Sequence, residues 1–178
     1  MKSVLRYTAA GVALATFGFA SAASAATDDA QVTAQILSTL AVNDVVGDNI
    51  LNFGTVLDAG LLADSTVTVS PAEVVTCGAN LTCGGSAAAP TFNVTGFTGS
   101  SVAVTFPSAT IVLTRSGGNL AGLDNNMDVG TFTTNLVGNQ VTLVAGPNPF
   151  SVGGTLTVSP NQAPGVYTGA VTVEVQYN

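Results

Sequence analysis

The residues best suited to do chemistry in this sequence are two pairs of carboxylates. Asp124 with Asp128, and Asp58 with Asp64, have the residue types that a glycosidase uses as acid and nucleophile. Nothing in either spacing selects a pair, and both read as solvated loop acids. Asp124-Asn125-Asn126-Met127-Asp128 begins like a calcium loop. That pattern needs Gly at its sixth position and Glu at its twelfth, and Val129 and Asn135 stand there instead. Met127 reads more simply as a core residue. The chain has no His, which removes Ser-His-Asp, Cys-His and most zinc chemistry. The pairs Gly84-Gly85, Gly117-Gly118 and Gly153-Gly154 lack the following Lys and Ser/Thr of a phosphate loop and read as turns or bulges. The expectation is a protein that is not an enzyme, with no cofactor and no metal.

Two cysteines, Cys77 and Cys83, complete the reactive inventory. The chain opens with Lys2 and Arg6, an apolar run from Ala9 to Ala20, and Ala23-Ser24-Ala25, the pattern of a signal peptide cleaved before Ala26. The apolar run is well short of the roughly 20 residues that a membrane span requires, so residues 1–25 are read as a removed leader. Export places the cysteines in an oxidising compartment, where they are read as a disulfide that pins a local turn. Closing so short a loop is worth about 2 kcal/mol in the chain-entropy picture. The expected location is the periplasm, then the cell surface or the medium.

Of the 178 residues, 153 follow the predicted cleavage point, a length suited to one domain, 26–178. They contain all ten acidic residues and a single basic one, Arg115, for a formal charge of −9. Such a chain cannot neutralise a phosphate backbone, which argues against nucleic acid and anionic membranes as partners. No later stretch is long and uncharged enough to span a membrane as a helix.

The elements that carry these residues are strands. Ala30, Val32, Ala34 and Ile36 alternate with Gln31, Thr33 and Gln35, a strand signal behind the cleavage site. Ile50 to Val56 reads as a second strand, with Gly54 a bulge or close approach. Val67 and Val69 share a face of a third. Thr91 to Phe97 and Val102 to Phe106, joined at Gly99-Ser100, read as a hairpin. Further strands follow at Ala109–Thr114, around Met127 to Leu136, at Gln140–Val144 and at Phe150–Val158, the last interrupted by Gly153-Gly154. No run carries the spacing of an amphipathic helix. Short strands with frequent turns predict an all-β, antiparallel, immunoglobulin-like sandwich of Greek-key type, with a closed barrel as the alternative.

The last run, Gly165 to Asn178, is the most regular. Val171, Val173, Val175 and Tyr177 fall on one face, and Thr172, Glu174 and Gln176 on the other. Gly165 fourteen residues from the end, alternating apolar residues and Tyr177 in the penultimate position resemble the C-terminal pattern of chaperone–usher pilus subunits. LNFGTV, FNVTGF, NMDVGTF and VGGTLTVSPNQAPGVYTGAVTVEVQY, in that order, resemble archaic pilins, spore-coat-U-type domains and a family of secreted bacterial domains, domain of unknown function 4402. The resemblance implies a sandwich that lacks one strand. A periplasmic chaperone first fills the resulting groove, an outer-membrane usher handles the complex, and the N-terminal extension of the next copy then replaces the chaperone as a donor strand. Carried onto this sequence, Ala30, Val32, Ala34 and Ile36 are the donor residues. Gly165, Tyr167, Val171, Val173, Val175 and Tyr177 are the groove and C-terminal motif. The partners would be copies of the chain or related subunits, and a place in a pilus or fimbrium and a part in cell adhesion follow from the same resemblance. The alternative is a self-complete secreted sandwich, with residues 26–42 as its own first strand, serving as an adhesin or a carbohydrate-binding module. The chain has no Trp, and after residue 25 only Tyr167 and Tyr177 as tyrosines, which ranks sugar binding below a structural role.

Overall fold

The computed structural model describes residues 33–178, and Ile36–Asn178 make one compact unit. Its strands are β1 (Ala41–Asp44), β2 (Thr55–Asp58), β3 (Ser65–Val69), β4 (Val75–Cys77), β5 (Leu81–Gly84), β6 (Thr91–Thr95), β7 (Ser101–Thr105), β8 (Thr110–Arg115), β9 (Asn126–Thr134), β10 (Gln140–Thr142), β11 (Asn148–Val158), β12 (Tyr167–Thr168) and β13 (Glu174–Tyr177). A 3-10 turn, Val137–Asn139, precedes β10. Every pair of named strands is antiparallel. Among the described residues no helix is long and apolar enough to cross a membrane.

The organising strand is β11. Phe150, Val152, Leu156 and Val158 are buried at alternate positions with Gly154 between them, while Ser151, Thr155 and Thr157 take the opposite face and only Gly153, also buried, departs from the alternation. The glycine pair marks the predicted irregularity: the register against β9 shifts between Gly153 and Thr155. One edge of β11 pairs with β6 along its first residues and with β3 along its last, and the other edge pairs with β9. The large sheet therefore runs β1-β6-β11-β9-β8-β12, with β3 and β4 attached beside β11. A three-stranded sheet, β10-β7-β13, and a ribbon, β2-β5, make the remaining sheets.

Two apolar clusters lie along β11, giving a sandwich-like arrangement. Phe150 and Val152 pack with Val94, Val102, Val104 and Leu143, contributed by β6, β7 and the residue after β10. Leu156 and Val158 pack with Val67, Val69, Val129, Phe53 and Leu61. Each such side chain taken from water contributes about 1.5–3 kcal/mol, so both ends of β11 are held.

Two expectations change. Thr91–Thr95 and Ser101–Thr105 do not form a hairpin. β6 pairs with β1 and β11, whereas β7 pairs with β10 and β13. The chain arches from one sheet to the other, and Val94, Val102 and Val104 meet in one cluster. An arch and a hairpin have the same alternating pattern, because alternation specifies the face and not the paired edge. The strand read from Ala30 onward begins only at Ala41 among the described residues. Residues 33–39 carry a strand's side-chain pattern, but no described residue makes a backbone-to-backbone hydrogen bond to them, and a strand needs a neighbour for its backbone groups.

The Ile50–Val56 run is also shorter as a strand than expected. Asn52 makes only an isolated bridge to Ala88, and regular pairing starts at Thr55. Gly54 is the predicted close approach: its φ is +74° and a Cβ there would collide with the Gly84 carbonyl. The Cys77–Cys83 disulfide is formed, joining the end of β4 to β5 across the Gly78–Asn80 turn.

Candidate functional site

The chain's second passage through the fold leaves an apolar groove beside its last strand. After β12, residues 169–173 belong to no strand and make no backbone hydrogen bond to any described residue. Pairing resumes at Glu174, where β13 joins β7. Residues 169–173 and 49–56 line one cavity of about 1000 Å³. Its floor is the inner face of the large sheet: Ile111 opposite Val129 and Leu113 opposite Met127, as cross-strand pairs of β8 and β9, with Leu156 of β11. Ile111, Leu113, Met127, Val56, Val171 and Val173 are all only half-buried, so apolar side chains on floor and walls still meet solvent. Among the described residues Asp44 is the single charged one along the lining, and its carboxylate accepts from Asn49 Nδ2 at 3.0 Å.

Gly165 opens this segment for a steric reason. Its φ is +154°, and a Cβ would lie 2.7 Å from Arg115 Nε. That Nε donates to Pro164 O at 2.7 Å, and Arg115 Nη1 donates to Gly118 O at 2.6 Å. The one basic residue after residue 25 thus ties the β8–β9 loop to the start of the terminal segment. Tyr167 holds the same corner: its hydroxyl accepts from Gln162 Nε2 at 2.8 Å and donates to Ala163 O at 2.6 Å.

The predicted groove residues divide into two groups. Gly165, Tyr167, Val171 and Val173 line the cavity. Val175 and Tyr177 lie beyond it, on β13, packed against the cluster of Val102 and Leu143. Of the donor residues, Ala30 and Val32 lie outside the described residues. Ala34 and Ile36 are exposed and in no strand, Ile36 at 89%. The floor residues Ile111, Leu113, Met127 and Val129 were read only as strand or core positions. The signal was their i, i+2 spacing on two successive strands, which aligns both apolar faces once β8 and β9 pair.

The carboxylates are used locally. Asp58 Oδ1 accepts from Gly60 N at 2.8 Å and Leu61 N at 2.7 Å, and Asp124 Oδ1 accepts from Asn126 N at 3.0 Å. These are turn-forming side chains. Asp64 and Asp128 are exposed.

The arrangement is suited to taking an extended chain. A groove wall with unpaired backbone supplies ladder partners, and a floor of alternating apolar residues supplies pockets for every second side chain. Fold and groove together define an all-β antiparallel domain with an apolar slot beside its last strand. The chain belongs to the family described as Domain of unknown function (DUF4402), whose model matches residues 40–177. That span starts one residue before β1 and takes in both groove walls, leaving 33–39 outside it. No curated protein and no solved structure matches the chain.

Proposed function

We propose that this chain is a structural or adhesive cell-surface subunit that assembles by donor-strand exchange. The groove is the observation that carries this reading: an apolar slot of about 1000 Å³ whose wall at 169–173 has no backbone partner among the described residues. Its occupant is the N-terminal arm of a second copy, residues 30–36, with Val32, Ala34 and Ile36 as the inserting side chains. Two features support that choice. The arm has the period-2 pattern of a strand with one apolar face. Its described part presents Ile36 to solvent, in no strand. The completed domain is then an immunoglobulin-like sandwich, as the resemblance to archaic pilins implies.

Such a contact is heterologous, since the arm of one copy meets the groove of the next, and heterologous contacts that do not close build filaments. Export through the inner membrane, capping by a periplasmic chaperone and handling by an outer-membrane usher complete the proposal. The test is the purified chain from Ala26 onward, run on a denaturing gel with and without boiling. A ladder of multimers that collapses to monomer on heating is expected, and monomer alone in the unheated lane overturns the reading.

A further inference from the structure

The Tyr177 side chain does something the groove does not require. It lies at the end of β13 remote from the cavity, and its hydroxyl is saturated. It accepts from Phe97 N at 2.7 Å and donates to Ser38 O at 3.0 Å. Ser38 is the last point at which the N-terminal segment is held before the exposed Ala34–Ile36 stretch. Leu40, two residues on, packs into the same cluster as Tyr177. Space for the hydroxyl is provided by Gly96, where a Cβ would collide with Tyr177 Oη and approach Leu40 Cδ1 to 3.0 Å. Three segments distant in sequence, 38–40, 96–97 and 177, therefore meet at one oxygen.

We infer that Tyr177 is an exit clasp: its hydroxyl fixes the place and direction in which the N-terminal arm leaves the domain. The inference rests on the donor-strand reading and adds a positioning residue to it. From Gly169, at the groove wall, to Tyr177 the chain covers about 26 Å at the rise of an extended strand. The arm root is thus held at one end of the terminal strand and the unpaired wall lies at the other. The near end of the groove, at Val42 and Val173, is four residues from Ser38 and from Tyr177, so the clasp sets the direction in which the arm leaves past it. Holding Ser38 also restricts the directions the arm samples, so less freedom is lost when it inserts.

The test uses the chain from Ala26 onward with spin labels at Ile36→Cys and Thr142→Cys, both exposed positions, at a concentration where it is monomeric. Pulsed electron resonance should give a narrow distance distribution. Tyr177→Phe, which removes only the hydroxyl, should broaden it, and Gly96→Ala should do the same by displacing the oxygen. Val175→Ala, which weakens the packing of the same strand but keeps the clasp, should stay narrow. Equal distributions in the parent and Tyr177→Phe overturn the inference. So does equal broadening in Val175→Ala, which would mean general loosening of β13. In assembly, Tyr177→Phe should slow ladder formation about three- to tenfold, the equivalent of one hydrogen bond. A synthetic peptide of residues 28–37 should cap growth equally in both proteins. A peptide that fails to cap the parent chain sinks the donor-strand reading, while the distance measurement still decides the clasp.

Discussion

Replacing Ile36 separates assembly from folding. In the described structure Ile36 is 89% exposed and belongs to no strand, so its side chain contributes almost nothing to the stability of the isolated domain. In a neighbour's groove it would be buried, and Ile36→Ala would then remove three carbon groups from an apolar site. At about 0.8 kcal/mol for each, discounted for incomplete burial, the loss is about 2 kcal/mol per contact. That corresponds to about a thirtyfold weaker association. Ile36→Asp should abolish it, because an unpaired carboxylate would enter the slot. Sedimentation velocity across a concentration series measures the association, and a thermal melt of the monomer measures the fold. The expected result is a shift in the first and none in the second. Val137→Ala, at a turn residue 93% exposed and outside the groove, is the control and should change neither. Unaltered association of Ile36→Ala refutes the assignment of the arm. A lowered melting temperature in Ile36→Ala refutes the claim that the residue is idle in the monomer.

The other predictions concern the groove and its supports. Met127→Lys places an ammonium on the groove floor. In the monomer its stem can reach solvent, but beneath an inserted strand the charge is stranded at a cost of several kcal/mol, so capping by the 28–37 peptide should be lost while the melt stays within a few degrees. Gly54→Ala sets a Cβ against the Gly84 carbonyl at a positive φ, and should cost roughly 1–3 kcal/mol, read as a melting temperature lowered by about 2–4 °C per kcal/mol. Reducing the Cys77–Cys83 bond should cost about 2 kcal/mol without changing the far-ultraviolet circular dichroism, since the loop it closes is short and local.

Strand positions were legible where alternation and burial coincide, at Val67 and Val69, at Val102 and Val104, and along Phe150 to Val158 with its glycine irregularity. Pairing was not. Phe92, Val94, Val102 and Val104 carry a hairpin's pattern, yet the two strands face each other across the core instead of sharing an edge. The reason is that side-chain period records the face a residue takes, while edge choice is settled by contacts from far along the chain: here β10 and β13 for β7, and β1 and β11 for β6. The groove was half legible. Val171 and Val173 showed in the terminal pattern, but the floor of Ile111, Leu113 and Met127 became a site only through the β8–β9 register. Asn148 had no signal beyond turn composition, yet it is buried. Its Nδ2 donates to Val94 O and Gly146 O at 3.1 and 3.0 Å, and its Oδ1 accepts from Val144 N at 2.9 Å. The Tyr177–Ser38 bond spans 139 positions, a separation no local pattern encodes.

An exposed apolar slot with an unpaired strand edge is a hazard for any domain, because it accepts other chains indiscriminately. Two features of this chain bear on that hazard. Backbone with few partners among the described residues lines the slot at 169–173 and also at 49–54, where Asn52 alone bridges to Ala88; any extended chain can use such groups, so discrimination falls to the side chains. That favours sequences whose alternate residues fit the Ile111, Leu113 and Met127 floor over arbitrary extended chains. The chain after residue 25 also carries ten acidic residues against Arg115 alone, so copies repel one another at long range. Repulsion of that kind is screened within about 10 Å at 0.1 M salt, whereas apolar insertion is not, so the two act at different distances. If the chain assembles by the donor-strand exchange proposed above, random encounters are suppressed while a seated arm is unaffected, and selectivity rests on how the arm is presented, the task inferred for Tyr177.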